Sequence, residues 1–209
     1  MNKTLYFVRH CAASGQEPDA PLTEEGHEQA ETLTKWFADK KIDLIVSSPY
    51  LRATQTITPL VQRRKIELRL DSRLEERVLC AETLTDWKEK LRATFDDPFL
   101  CFPGGESSHI ATHRAVHALT PLLENDLQTI AVVTHGNLLT LILRHFDPTF
   151  GYDHWERMTN PDVYCLDWKE NTPPVIERVN KAEIFDVSHV THHRHSLETK
   201  RKVLISPPP

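Results

Sequence analysis

The chain has 209 residues, 39% apolar and 26% charged, with a formal charge of -5. That length accommodates one domain with a substantial core. The acidic balance offers no basic stripe for nucleic acid, and no apolar run approaches the ~20 residues of a membrane-spanning helix. Met1–Thr4 lead straight into a strand, without the apolar segment and cleavage site of a secretory leader. Cys11, Cys80, Cys101 and Cys165 are scattered without a CxxC pair. A cytoplasmic protein with free thiols, and neither a disulfide framework nor a zinc site, is the expectation.

The first element is Leu5-Tyr6-Phe7-Val8, an unbroken apolar run suited to a strand buried on both faces of a parallel sheet. It ends abruptly in Arg9-His10 and then small residues. Ligand sites in open α/β sheets lie beyond the carboxyl ends of strands, so this pair is a site candidate, unless it merely begins a surface loop. Thr23, followed by Glu24 and Glu25, reads as the N-cap of a helix over 23–38, with Ala30, Leu33 and Phe37 on one face. Leu44–Val46 is a short second strand leading into Ser47-Ser48-Pro49-Tyr50-Leu51-Arg52. A helix follows, with Ala53, Ile57, Leu60 and Val61 on one face. Pro59 is expected to kink or shorten it.

Residues 66–70 read as a third strand and 81–93 as helical. Gly104-Gly105-Glu106-Ser107 then introduces a long helix ending near Glu124; Glu106 either touches Arg52 or the pocket rim, or it or Ser107 caps the helix. Ile130–Val133 is a clear strand that delivers Thr134-His135-Gly136, and 138–145 continue as a helix. Val163–Trp168 and Val175–Val179 pair as an antiparallel hairpin. Phe150, Tyr152 and Trp155 either cover an organic group or pack the core. The alternation of strands and helices argues for an α/β domain with a largely parallel sheet over residues 1–180. Residues 181–209 are a polar, His-rich tail, expected to be flexible or laid on the surface.

His10 and His135 share one context: apolar strand, polar residue, histidine, small residue. On neighbouring parallel strands both imidazoles would emerge at one edge and face one phosphate-sized ligand. Arg9 and Arg52 would supply planar charged forks for its oxygens. A neutral histidine is a competent nucleophile towards phosphorus when its other nitrogen is held by a hydrogen bond, and such cations can stabilise an in-line transfer without a metal.

Six motifs occur in order: Arg9-His10, Leu22-Thr23-x-x-Gly26, Ser47-Ser48-Pro49-x-x-Arg52-Ala53-x-Gln55-Thr56, Leu74-x-Glu76, Gly104-Gly105-Glu106-Ser107 and Thr134-His135-Gly136. Together they resemble the histidine phosphatase superfamily, which includes the cofactor-dependent phosphoglycerate mutases and many small phosphatases. The resemblance implies a three-layer α/β/α domain, phosphoglycerate mutase-like, and a phosphatase acting on a small phosphorylated metabolite without cofactor or metal. It implies His10 as the nucleophile that forms a phosphohistidine, His135 as the second histidine, and Glu76 as the acid that protonates the leaving oxygen. Arg9, Arg52 and the backbone of Gly136 would bind the phosphate. Ser14, Gln16, Thr23 and Arg77 are substrate-binding candidates.

The chain departs from the family's pattern at residue 11, in the loop 12–21, and after Glu76, where the Gly-x-x-Glu-Gly pattern is missing and Cys80 lies where a glycine often falls. Cys11 replaces the usual glycine and should crowd the phosphate loop or require a slightly different backbone path, and in Ala12–Pro21 only Ser14 and Gln16 stand in for the family's usual polar residues. The segment from Glu76 to Gly104 is short, with Lys88, Lys90 and Arg92 as its cations, which suits a phosphatase better than a mutase. A mutase and a catalytically weak binder of phosphorylated ligands stay open as alternatives. His109, His113 and His117 fall on one helix face and read as a solvated stripe. His189, His192, His193 and His195 are given no role.

Overall fold

The computed structural model describes residues 2–170 and 172–185. A six-stranded sheet organises them: β1 (Asn2–Arg9), β2 (Leu44–Ser47), β3 (Leu68–Leu70), β4 (Thr129–Thr134), β5 (Asp162–Lys169) and β6 (Val175–Arg178), in the order β3-β2-β4-β1-β5-β6. The first four run parallel, and β5 and β6 form the expected antiparallel hairpin at one edge. Leu5, Phe7 and Val8 of β1 and Ile130–Val133 of β4 are buried, as their unbroken apolar runs require.

Two core clusters, one on each face of the sheet, make three layers. On one face, α1 (Glu24–Trp36) and α2 (Leu51–Arg64) bring Leu33, Ile57 and Leu60 against Val8, Ile45 and Val133. On the other, α4 (Ser108–Glu124) and α5 (Gly136–Phe146) pack Ala115, Leu119, Leu138 and Ile142 against Leu5, Phe7 and Val132. Tyr152, in a short helix over Tyr152–Glu156, belongs to this second core, and Phe150 and Trp155 pack against it. These aromatics serve the core.

Local chemistry sets the helix ends. Thr23 caps α1, its Oγ1 accepting from Gly26 N–H at 3.0 Å. Of the two candidate caps for α4, Ser107 takes the role, accepting from Ile110 N–H at 3.2 Å. Glu106 is instead committed to an ion pair with Arg114. Three expectations change. Pro59 does not shorten α2, because Ile57 and Leu60 are both buried against the sheet and hold the helix across the missing hydrogen bond. The helix expected from Ala81 begins only at Trp87 and runs to Asp96. Ahead of it, Ala81 N–H donates to Pro103 O and Glu106 N–H to Val78 O, which ties 78–81 to 103–106 instead. Finally, Lys181–Phe185 form a helical turn whose Ile184 is buried in the first core. The rest of the His-rich tail lies outside the described residues.

Candidate active site

β1 and β4 deliver matching residues to matching places. Arg9 pairs with Thr134 across the parallel ladder, so His10 and His135 come next on adjacent strands. His10 N–H donates to Thr134 O at 3.0 Å. The two rings lie 5.2 Å apart and are only 6% and 0% exposed.

His10 Nδ1 lies 2.7 Å from Cys11 O. A carbonyl only accepts, so the proton sits on Nδ1 and the lone pair on Nε2. Burial pushes the His10 pKa down to about 3; the Cys11 carbonyl opposes this, and Arg52 and Arg9 reinforce it. His135 is lowered too, first by burial and then by His10, Arg52 and Arg9. Both rings are therefore neutral near pH 7. His135 Nε2 lies 2.8 Å from Ser48 Oγ, and its Nδ1 is buried without a partner.

Arg52, from the first turn of α2, is wholly buried. Its Nε donates to His10 Nε2 at 3.2 Å, and its Nη1 donates to Gln16 O and Glu17 O at 3.0 and 2.8 Å. Arg9 Nη1 donates to Met158 O at 3.1 Å. Arg9 Nε and Arg52 Nη2 are buried with no acceptor. Buried polar groups are ordinarily paired, so two orphaned guanidinium donors and an unpartnered imidazole nitrogen around one histidine pair mark a place for an oxyanion. Burial lowers the pKa of both arginines, and the Glu76 carboxylate pulls each back up.

Glu76 reaches the same edge from the segment after a 3-10 turn at Ser72–Leu74, which is anchored to β4 by Thr134 Oγ1 donating to Leu74 O at 2.8 Å. Its carboxylate accepts from the N–H groups of Asn137, Leu138 and Arg77 at 2.9–3.0 Å. Two of those are orphan donors of the first turn of α5, where a carboxylate also meets the positive end of the helix dipole. This explains why α5 starts at Gly136, two residues before the apolar pattern alone suggests. Gly136 lies against Arg9; a Cβ there would sit 3.0 Å from the guanidinium carbon.

The remaining candidates are placed elsewhere. Thr23 is spent on its cap and on Ala12 O. Ser14 is exposed, its Oγ 3.2 Å from Pro21 O. Gln16 is exposed and contributes a main-chain carbonyl to Arg52, not its side chain. Arg77 is neither a substrate-facing nor a solvated group. It is buried and braces α3 (Trp87–Asp96) against α4, donating to Glu106 O, Thr94 Oγ1 and Ser108 Oγ at 2.7–2.9 Å. Cys11 does not crowd the phosphate loop: its side chain packs with Leu22 and Ala30, and burial pushes the thiol up to about 12. His109, His113 and His117 are exposed on α4, with the last two rings stacked at 5.9 Å.

Sequence reasoning missed three contributors. Asn160 Nδ2 donates to His10 O at 2.7 Å and stands 3.4 Å from His10 Nδ1. Its only sequence signal is an Asn-Pro dipeptide, which marks a turn. Asn137, directly after Gly136, is buried with both side-chain polar atoms unpartnered. Ser48 stood at a strand's carboxyl end, but nothing linked it to His135.

The sequence matches the Histidine phosphatase superfamily (branch 1) over residues 5–182. The chain belongs to that superfamily. Two proteins of Hydrogenobacter thermophilus are similar to this histidine phosphatase chain. One, provisionally named phosphoserine phosphatase 2, is 29% identical over 68% of this chain and 77% of its own length. Phosphoserine phosphatase 1 is 28% identical over 63% and 70%. Among solved structures, a mycobacterial glucosyl-3-phosphoglycerate phosphatase, determined with inorganic phosphate, shares the fold with a TM-score of 0.70. It is 22% identical over 85% of this chain and 96% of that one.

Proposed function

We propose that this chain hydrolyses a phosphomonoester of a small metabolite through a phosphohistidine at His10, without a metal. One observation carries the reading: paired imidazoles ringed by the unpartnered donors Arg9 Nε and Arg52 Nη2, with His135 Nδ1 also unpartnered. The phosphoryl group enters as the missing acceptor. Its oxygens draw the Arg52 fork off His10 Nε2, which frees the lone pair that the Cys11 carbonyl has directed outward. Glu76 first takes the proton of the monoanionic phosphate ester; Nε2 then attacks phosphorus in line, the ester P–O bond breaks, and Glu76 passes that proton to the departing alkoxide oxygen. In the second half, Glu76 takes a proton from water, which attacks the phosphohistidine. The P–N bond breaks, and inorganic phosphate leaves with His10 neutral again. Ser48 donates to His135 Nε2 in this scheme, so that Nδ1 carries the proton and donates to the equatorial oxygens, where the two guanidinium groups also stabilise developing charge.

The relatives named for phosphoserine and glucosyl-3-phosphoglycerate support hydrolysis of small phosphorylated metabolites. The test is release of phosphate from an aryl phosphate in chelator-treated buffer. Wild type is expected to turn over and to carry acid-labile label on His10, and His10→Ala is expected to lose both. Turnover that survives His10→Ala at the wild-type rate would refute the assignment.

A further inference from the structure

A cavity of about 410 Å³ opens beside the catalytic edge, with Glu76 and Tyr50 in its wall. Both also border the histidine pair. The Tyr50 ring lies 5.0 Å from His135, and the Arg52 guanidinium 4.9 Å from its centroid. A phosphoryl group on His10 would therefore direct its leaving group, the part that Glu76 protonates, into this cavity. What the leaving group meets there depends on which wall charges are still free.

The wall's two cations are already engaged. Arg114 forms a two-pronged pair with Glu106 at 2.8 and 2.9 Å and donates its remaining nitrogen to Arg73 O. Arg73 holds Asp71 through Nε and Nη2 and gives Nη1 to His117 O. Glu75 differs: it lines the same cavity, and no side-chain hydrogen bond or ion pair engages its carboxylate among the described residues. Ser72 and the Tyr50 hydroxyl add polar groups, and Val78 adds an apolar patch that is 48% exposed.

We infer that the leaving-group cavity selects an amine-bearing alcohol, with the substrate's ammonium paired to Glu75. The inference rests on the phosphatase reading above. The substrate would then be dipolar, its phosphate in the cationic histidine site and its ammonium in the acidic cavity. The ester oxygen and the ammonium both fall within one cavity of about 410 Å³, because Glu75 and Glu76 line the same wall. A short carbon spacer therefore separates the protonated ester oxygen from the ammonium. A carboxylate on that spacer would face Glu75, and both arginines of this wall, Arg73 and Arg114, are already paired.

Three phosphomonoesters of matched size test this: phosphoethanolamine, ethylene glycol monophosphate and phosphoglycolate, which carry a cationic, a neutral and an anionic tail. In wild type, kcat/KM is expected to fall in that order, with the amine ahead of the alcohol by about fivefold, the scale of one partly exposed charge pair. Glu75→Gln should bring the amine-to-alcohol ratio close to one. Equal rates for amine and alcohol in wild type, or a ratio that Glu75→Gln leaves unchanged, would overturn the inference while an active aryl phosphatase keeps the broader reading intact. Calorimetric binding of the same three esters to His10→Ala repeats the comparison without turnover. Tighter binding of the amine supports the subsite even if hydrolysis fails, and equal binding refutes it.

Discussion

Replacing Arg52 with methionine separates what the side chain does for the fold from what it does for the reaction. The guanidinium makes three hydrogen bonds, to His10 Nε2, Gln16 O and Glu17 O, and lies wholly buried. A net bond from a charged donor contributes roughly 1.5–3 kcal/mol, so removing all three would by itself be severe. Two effects offset this. Gln16 and Glu17 are exposed, so water can take over their carbonyls. Deleting a buried cation that makes no direct ion pair among the described residues also recovers part of its desolvation penalty, often several kcal/mol. Methionine fills most of the volume, and the net change in stability should be within about 2 kcal/mol, or roughly 4–8 °C in Tm for a chain of this size. The reaction has no such compensation. Loss of a preorganised donor to the transferring phosphoryl group should lower kcat/KM by about 10²–10³, and Arg52→Lys should recover only part of that, because a point charge does not restore the fork. Steady-state kinetics with an aryl phosphate, alongside thermal melts, measure both. A fall in kcat/KM below tenfold, or a collapse of Tm that accounts for the lost activity, would refute the placement of Arg52 on the phosphate.

Other outcomes follow from the same geometry. His10 is held at about 3 in the folded protein and His135 is also lowered, whereas an unfolded histidine titrates near 6.5. The unfolded chain therefore binds more protons below pH 6.5, so this contribution to stability is complete above that pH and is lost as pH falls towards 3. Urea melts should show the loss between pH 6.5 and 5, at up to roughly 1.4 kcal/mol per pH unit per histidine; a flat profile there would contradict the buried neutral pair. Asn160→Asp puts a carboxylate where a donor stands 3.4 Å from His10 Nδ1. It should favour the imidazolium against Arg9, Arg52 and His135, and so move the acid limb of kcat/KM up by about one pH unit. Superimposable profiles would show that Asn160 acts on packing alone. In Gly26→Ala the new Cβ would lie 2.0 Å from Ala12 O, the acceptor that joins Thr23 to the first loop. A loss of about 3 kcal/mol is expected in denaturant melts, and an unchanged midpoint would mean the loop moves aside freely.

Most of the layout was legible because it depends on short-range pattern. Unbroken apolar runs marked β1 and β4 as buried strands, and the alternation with amphipathic helices implied the parallel sheet. A histidine recurs directly after each strand, and the parallel pairing of β1 with β4 brings the two imidazoles side by side. Thr23 announced its own cap. The helix expected from Ala81 failed for the converse reason, since its backbone groups are taken by 103–106, far away in sequence.

Tertiary structure alone decided how long polar side chains were used. Arg52 and Arg77 each follow a recognisable motif, and both are buried. Yet one reaches His10 and the other braces α3 against α4, because the acceptors within reach of each guanidinium come from distant segments. Glu75 and Glu76 are chemically identical neighbours, and only the position of the α5 N-terminus assigns the second to the helix and leaves the first facing the cavity. Cys11 looked like an obstruction until Leu22 and Ala30 provided a place for its side chain. The sequence by itself determined which strands carry the histidines, through local periodicity. Which donors remain unpaired around them depended on contacts between residues far apart in the chain, and those exist only once it has folded.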